Sequence, residues 1–315
     1  MSTLFFGIFL AIVGSASNNF GLVLQKKVVN EVSPDARDKR FFRTLAKRPL
    51  WLLGIFMQIG ISSACLLLAQ YHIGPTLVPG LQGVGLIVLA IGSVRINNET
   101  LEKPEIVGIL LLILATALVG VCELEIEVSK FDFQQTWFFR NAMVFTGIIS
   151  TIFILLELTQ RRSGFYIKSI LLSLISGFMY ALSDFWTSPL VGTIGGVFKG
   201  EANWTEWSLF LMACVLLISS NILAIGKTQM AFKYGPASIL IPLRHVPSLV
   251  APVFVYFFVY SMTAPKNYSL WFFLVSIVLI TISSYLLGRR EEQFMKSEEA
   301  AVSERMGRGS HELYL

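Results

Sequence analysis

The chain has 315 residues, 54% of them hydrophobic and 14% charged, with a mean hydropathy of +0.67 and a formal charge of +5. So few charges cannot cover the surface of a soluble domain of this length, which excludes a water-soluble enzyme. Cys65, Cys122 and Cys214 are odd in number and each lies in an apolar run, which argues against a disulfide framework or a thiolate metal site.

A helix needs about 20 apolar residues to cross a hydrocarbon layer roughly 30 Å thick. Runs of that length with few charges occur at about 4–25, 50–70, 74–94, 104–122, 138–157, 168–190, 207–226, 236–260 and 268–288, nine in all. Trp51, Trp137, Trp207 and Trp271 stand at run ends, where interfacial aromatic anchors belong. The first run has no basic segment before it and Lys26 and Lys27 after it, so it reads as a span and not as a cleaved leader.

The gaps between runs hold nearly all the charges, and their distribution sets an orientation. Lys26, Lys27, Arg37, Lys39, Arg40, Arg43, Lys47 and Arg48 fill the first gap. With that gap on the cytoplasmic side, 20 basic residues fall inside, while Lys130, Arg140, Lys199 and Lys266 fall outside beside Glu123, Glu125 and Glu127. The positive-inside rule then puts the N-terminus outside and the C-terminus in the cytoplasm. The remaining basic residue, Arg244, belongs to neither side.

Tyr71–Gln82, YHIGPTLVPGLQ, resembles Lys233–His245, KYGPASILIPLRH: each opens a span with Gly-Pro and carries a second Pro within it. Four runs precede the fifth and four follow it, so one odd helix inverts the second group against the first. Inverted repeats place a solute site at the midplane, often at helices broken by Pro or Gly. Pro79, Gly80 and Gly83 in the third run, and Pro242 and Pro247 in the eighth, are the expected breaks.

Three ionisable residues lie well inside the runs: Asp184, Arg244 and His245. Each costs at least roughly 2.5–3.5 kcal/mol at the centre of a bilayer. Arg244 lies about 12 Å into its run at ~1.5 Å per residue, near the midplane. It keeps its proton, so it must face an anion, dipoles or water. His245 can change charge near neutral pH. Asp184 is a candidate for a cation or a proton, and the one candidate metal ligand. Gln82, three residues after Pro79 as His245 is after Pro242, and Asn18 in the first run complete the candidate solute-binding set. Asn19, Gln70, Asn221 and Gln229 read as helix–helix hydrogen-bonding glue.

No phosphate-binding loop, nucleophile elbow or metal-spaced His/Cys cluster is present, so neither an enzyme nor a cofactor is expected. His72 and His311 are isolated. Asn203-Trp-Thr and Asn267-Tyr-Ser are sequons in loops assigned to the outside.

Gly74–Gly120, with Glu99 just past one helix and Gly108 in the next, resembles the end of a repeat in the drug/metabolite transporter superfamily. The nine-run layout, the FGLVLQKK end of the first run and the basic linker after it resemble the NIPA-type magnesium transporter branch. The resemblance implies an inverted-repeat bundle with alternating access, and Mg²⁺ as an alternative cargo. The second repeat departs from the pattern, with Lys266 and Asn267 where a Glu is expected.

The expected fold is an all-α integral membrane bundle of nine helices: repeat one at about 4–122, a linking helix at about 138–157, repeat two at about 168–288, and a polar cytoplasmic tail at 291–315. The expected function is secondary transport of a small polar or ionic solute across the cell membrane, with Mg²⁺ permeation and a non-transporting scaffold or lipid-binding role as alternatives. The lipid bilayer is the expected partner, a homodimer stays open, and nucleic acid is not expected.

Overall fold

The computed structural model describes residues 2–32, 41–122, 133, 135–264 and 266–287, apart from the side chains of 2–4, 70–71, 73–80 and 165–166. The expected tail at 291–315, the acidic trio Glu123, Glu125 and Glu127, and the side chains of Gln70 and Pro79 lie outside the described set. Every regular element among the described residues is helical.

The chain runs through α1 (Ser2–Glu31), the short α2 (Phe41–Leu45) and α3 (Pro49–Ile55), which passes through a π-helical turn (Phe56–Ile61) into α4 (Ser62–Gln82). Then follow α5 (Val84–Asn97), α6 (Lys103–Val121), α7 (Thr136–Arg162), α8 (Phe165–Lys199) and α9 (Trp204–Phe232). Last come α10 (Ala237–Phe254), which ends in a second π turn (Val255–Val259), and α11 (Ser269–Leu287). The ends follow local chemistry. Glu102 with Glu105, and Asn203 with Glu206, form capping boxes at the starts of α6 and α9. Asn98 closes α5 and Gly200 closes α8 in the left-handed conformation, at φ 55° and 73°.

Among the described residues, eight helical stretches are long and apolar enough to cross a membrane, and α5, with 14 residues, is apolar but shorter. The third expected run is shared between two helices: helical backbone continues to Gln82 and the break falls at Gly83, one of the three expected positions. The two ends of α4 nevertheless sit at the same height on α1. A Cβ on Gly14 would lie 3.1 Å from Cys65 and 3.0 Å from Leu66, and Ser15 Oγ donates to the Gln82 carbonyl at 2.6 Å. Leu66 and Leu81 both pack on the small cluster of Ala11 and Ala69. A straight helix would hold Leu66 and Gln82 about 24 Å apart at ~1.5 Å per residue.

In the first half α1 packs on α3, α4 and α5; in the second, α8 packs on α9 and α10. Glycines let the backbones touch. A Cβ on Gly21 would lie 2.5 Å from the Gly54 carbonyl oxygen, and one on Gly54 would lie 2.6 Å from that of Gly21. A Cβ on Gly177 would lie 2.3 Å from the Arg244 carbonyl oxygen. The first- and third-helix contacts repeat at equal spacing: Ser15 donates to the Gln82 carbonyl and Ser173 to that of Leu240.

The expected breaks at Pro242 and Pro247 do not occur, because α10 stays helical through both and through Pro252. Each proline removes one backbone donor without interrupting the helix. Packing against α8 and the Ser173 bond support the backbone there, as neighbours do for prolines in membrane helices. Helical backbone likewise runs through 79 and 80, so no break is described at Pro79 or Gly80 either.

Among the described residues two large cores form beside the small cluster of Ala11 and Ala69, and they differ in membership. The one nearer the basic linker end joins Leu22, Val29 and Leu89 of the first half to Phe232, Leu240 and Leu287 of the second. The one toward the other end holds Phe138, Phe145, Met179, Trp186, Leu209 and Tyr260, all from α7 and the second half.

Candidate functional site

The cavity of interest, about 240 Å³, lies between the halves. From the first half come Ser15, Asn18 and Asn19 of α1, Gln58 of the π turn, and Ser62, Ser63 and Gln82 of α4. From the second come Tyr180 and Asp184 of α8, Asn221 of α9, and Arg244, His245 and Ser248 of α10. All five residues proposed from sequence to meet solute, Asn18, Gln82, Asp184, Arg244 and His245, therefore line one space.

Arg244 is 4% exposed. Its guanidinium carbon lies 4.8 Å from the centre of the Tyr180 ring, a cation–π seat, and its Nη1 is buried without a hydrogen-bond partner. Tyr180 is held in turn, because Gln58 Nε2 donates to its hydroxyl at 3.1 Å. Asp184 follows Tyr180 by four residues on α8, so the two share a helix face one turn apart. Its side chain is exposed, and it forms no ion pair with Arg244. His245 Nε2 and Asn19 Oδ1 are also buried without partners. Native interiors leave few such groups unmatched, and a polar cavity is where they collect.

On the linker side of this cavity the halves are joined by a saturated chain of side-chain bonds. Trp51 Nε1 donates to Gln229 Oε1 at 3.1 Å, and Gln229 Nε2 donates to Gln25 Oε1. Gln25 Nε2 then donates to Gln58 Oε1 at 2.9 Å, and Gln58 reaches Tyr180. Gln229 is thus the glue it was expected to be, as is Asn221, which donates to Ser183. Trp51, expected at an interface, is half-buried and is tied to Gln229 through its ring N–H. Lys26, expected among the linker charges, is buried in α1 and donates to the carbonyls of Phe232 at 2.6 Å and Gly235 at 2.8 Å, where α9 ends. Glu99 accepts from the backbone N–H groups of Ala237 at 2.9 Å and Ser238 at 3.0 Å, so a first-half carboxylate caps α10 of the second half.

Sequence reasoning missed Gln58 and Tyr180. Gln58 is a lone amide in an otherwise apolar run, and that isolation was the available signal. Tyr180 counts as apolar in any hydropathy scan, and only its place one turn before Asp184 marks it.

The described residues contain no cluster of three or more His, Cys, Asp or Glu that could hold a metal ion. The cavity offers one carboxylate, one buried guanidinium and a set of neutral polar groups drawn from both halves.

The profile of the magnesium transporter NIPA family matches residues 2–292. The Arabidopsis thaliana protein named probable magnesium transporter NIPA9 is 27% identical over 320 residues, covering 94% of this chain and 87% of that protein. No solved structure matches the chain.

Proposed function

Since the chain belongs to the NIPA magnesium transporter family, and is a multi-pass membrane transporter and not an enzyme, we propose that Mg²⁺ is its cargo and that the cavity at Asp184 is the binding site. The observation that carries this reading is one accessible carboxylate set among neutral oxygen acceptors contributed by both halves.

Mg²⁺ gives up its water reluctantly and is often held through one or two carboxylates with its waters retained. Six waters occupy roughly 180 Å³ at about 30 Å³ each, which fits a cavity of about 240 Å³. Coordinated waters are strong donors. Asp184, Asn18, Gln82 and the unpartnered Asn19 Oδ1 and His245 Nε2 supply acceptors for them. In this reading the protein contacts the hydrated ion and needs no inner-sphere cage.

The proposed architecture is two inverted four-helix repeats joined by α7, crossing the membrane nine times. The paired contacts of Ser15 with Gln82 and Ser173 with Leu240, and the placement of Leu66 and Gln82 at one height, support it. The proposed orientation keeps the N-terminus outside and the C-terminus in the cytoplasm of a cell-membrane protein, on the 20-to-4 distribution of basic residues.

A second reading, an anionic or zwitterionic solute, draws on Arg244, whose buried Nη1 has no partner. Reconstituted vesicles loaded with a Mg²⁺-sensitive dye separate the two. Mg²⁺ uptake that drops at least about 100-fold in Asp184→Asn, with the variant still monodisperse, is the expected result; each ~1.4 kcal/mol of lost interaction is one factor of ten. Uptake that is unchanged in Asp184→Asn would remove the carboxylate from the site, and no uptake by the unaltered protein would remove Mg²⁺.

A further inference from the structure

Arg244 is the obstacle to a cation site, since a fixed positive charge beside Asp184 should repel the cargo. Its surroundings give it another role. We infer that Arg244 is a tethered cation that alternates between the Tyr180 ring and Asp184, competing with the cargo and neutralising the carboxylate when the cargo has left. The inference rests on the Mg²⁺ reading above.

The two stations lie on one helix face. Tyr180 and Asp184 are four residues apart on α8, so their Cβ atoms are about 5–6 Å from each other. The guanidinium occupies the lower station, 4.8 Å from the ring centre. The ring cannot follow it, because the Tyr180 hydroxyl is bonded to Gln58 Nε2 at 3.1 Å. The backbone of Arg244 cannot follow it either: its carbonyl oxygen would be 2.3 Å from a Cβ on Gly177, so α10 rests directly on α8 there. What remains free is the side chain, and its Nη1 is buried with no hydrogen bond to hold it.

The energetics favour two positions. On the ring, the guanidinium gains a cation–π contact and leaves Asp184 bare for a cation. With the cavity empty, a bare carboxylate at membrane depth is costly, and pairing with Arg244 removes that cost. The emptied transporter could then close over a neutral pair. Arg244 is on this account a positioning residue for the return of the empty protein, and it sets cargo affinity by competition.

Two substitutions should move affinity in opposite directions. Arg244→Gln removes the competitor, so the purified protein should bind Mg²⁺ at least about tenfold tighter, read by Mg²⁺ titration of its thermal stability. Tyr180→Leu removes the resting seat and drives the guanidinium onto Asp184, so binding should weaken several-fold, while Tyr180→Phe keeps the ring face but frees it from Gln58 and should weaken binding less. In vesicles, Arg244→Gln should slow net Mg²⁺ uptake by about tenfold or more while isotope exchange of Mg²⁺ across the membrane continues, because exchange never returns the protein empty. Arg244→Lys should restore much of the net uptake. The inference is overturned if Arg244→Gln binds Mg²⁺ no more tightly, or if net uptake and exchange fall together. Should Arg244→Gln not fold, a Tyr180→Leu affinity equal to that of Tyr180→Phe overturns it. If the unaltered protein carries no Mg²⁺, the cargo assignment fails first and the inference falls with it.

Discussion

Two polar layers in the middle of the bundle, sharing Gln58 and Tyr180 at the cavity wall, are built on opposite principles. In the linker-side layer, Trp51, Gln229, Gln25, Gln58 and Tyr180 form an unbroken run of hydrogen bonds. In the cavity layer directly above it, Arg244 Nη1, His245 Nε2 and Asn19 Oδ1 are buried with no partner. Both layers draw residues from both halves. Amides that satisfy one another in a low-dielectric interior bind the halves together, whereas unmatched groups hold binding capacity in reserve. The apolar packing follows the same division, since the core that joins the halves lies at the linker end.

The comparison predicts that damage near the satisfied layer is read in stability and damage in the cavity is read in transport. The largest effect is expected at the backbone contact that seats α1 on α3. Gly21→Val puts a branched side chain where even a Cβ would be 2.5 Å from a carbonyl oxygen, and overpacking of that severity should exceed about 3 kcal/mol and abolish a monodisperse peak in size exclusion. Gln25→Leu comes next. It removes the central link and leaves Gln58 Oε1 and Gln229 Nε2 without partners, at a cost of about 1–3 kcal/mol for each unmatched group, which a thermal melt in detergent would register as a clear fall in Tm. Asn18→Ala, in the cavity, should change Tm least and lower Mg²⁺ uptake several-fold. If Asn18→Ala instead melted as early as Gln25→Leu, the distinction between the layers would be lost.

Much of this arrangement could be read in the sequence, for a physical reason. Charges are so costly in hydrocarbon that Asp184, Arg244 and His245 could only be interior, and an interior polar space must gather them. The apolar runs gave the helices for the same reason. The supporting residues were hidden because their chemistry is ambiguous. Lys26 sits at the end of an apolar run, where a topology charge and a buried helix cap look alike. Glu99 was visible as a family feature, yet its partners at Ala237 and Ser238 are more than a hundred residues away and carry no signal of their own. Pro242 and Pro247 suggested interruptions, because a proline within a helix is normally destabilising; the close fit of α10 on α8 keeps the helix intact.

The cap on α10 also acts as a depth gauge. Glu99 grips the first two amides of the helix, and Arg244 lies seven residues further on, about 10 Å down the axis at ~1.5 Å per residue. The guanidinium therefore hangs at a fixed distance from an anchor that belongs to the opposite half of the molecule. Any rocking of one half against the other must either carry that anchor along, keeping Arg244 level with its two stations, or let go of it and draw the charge out of register with Asp184.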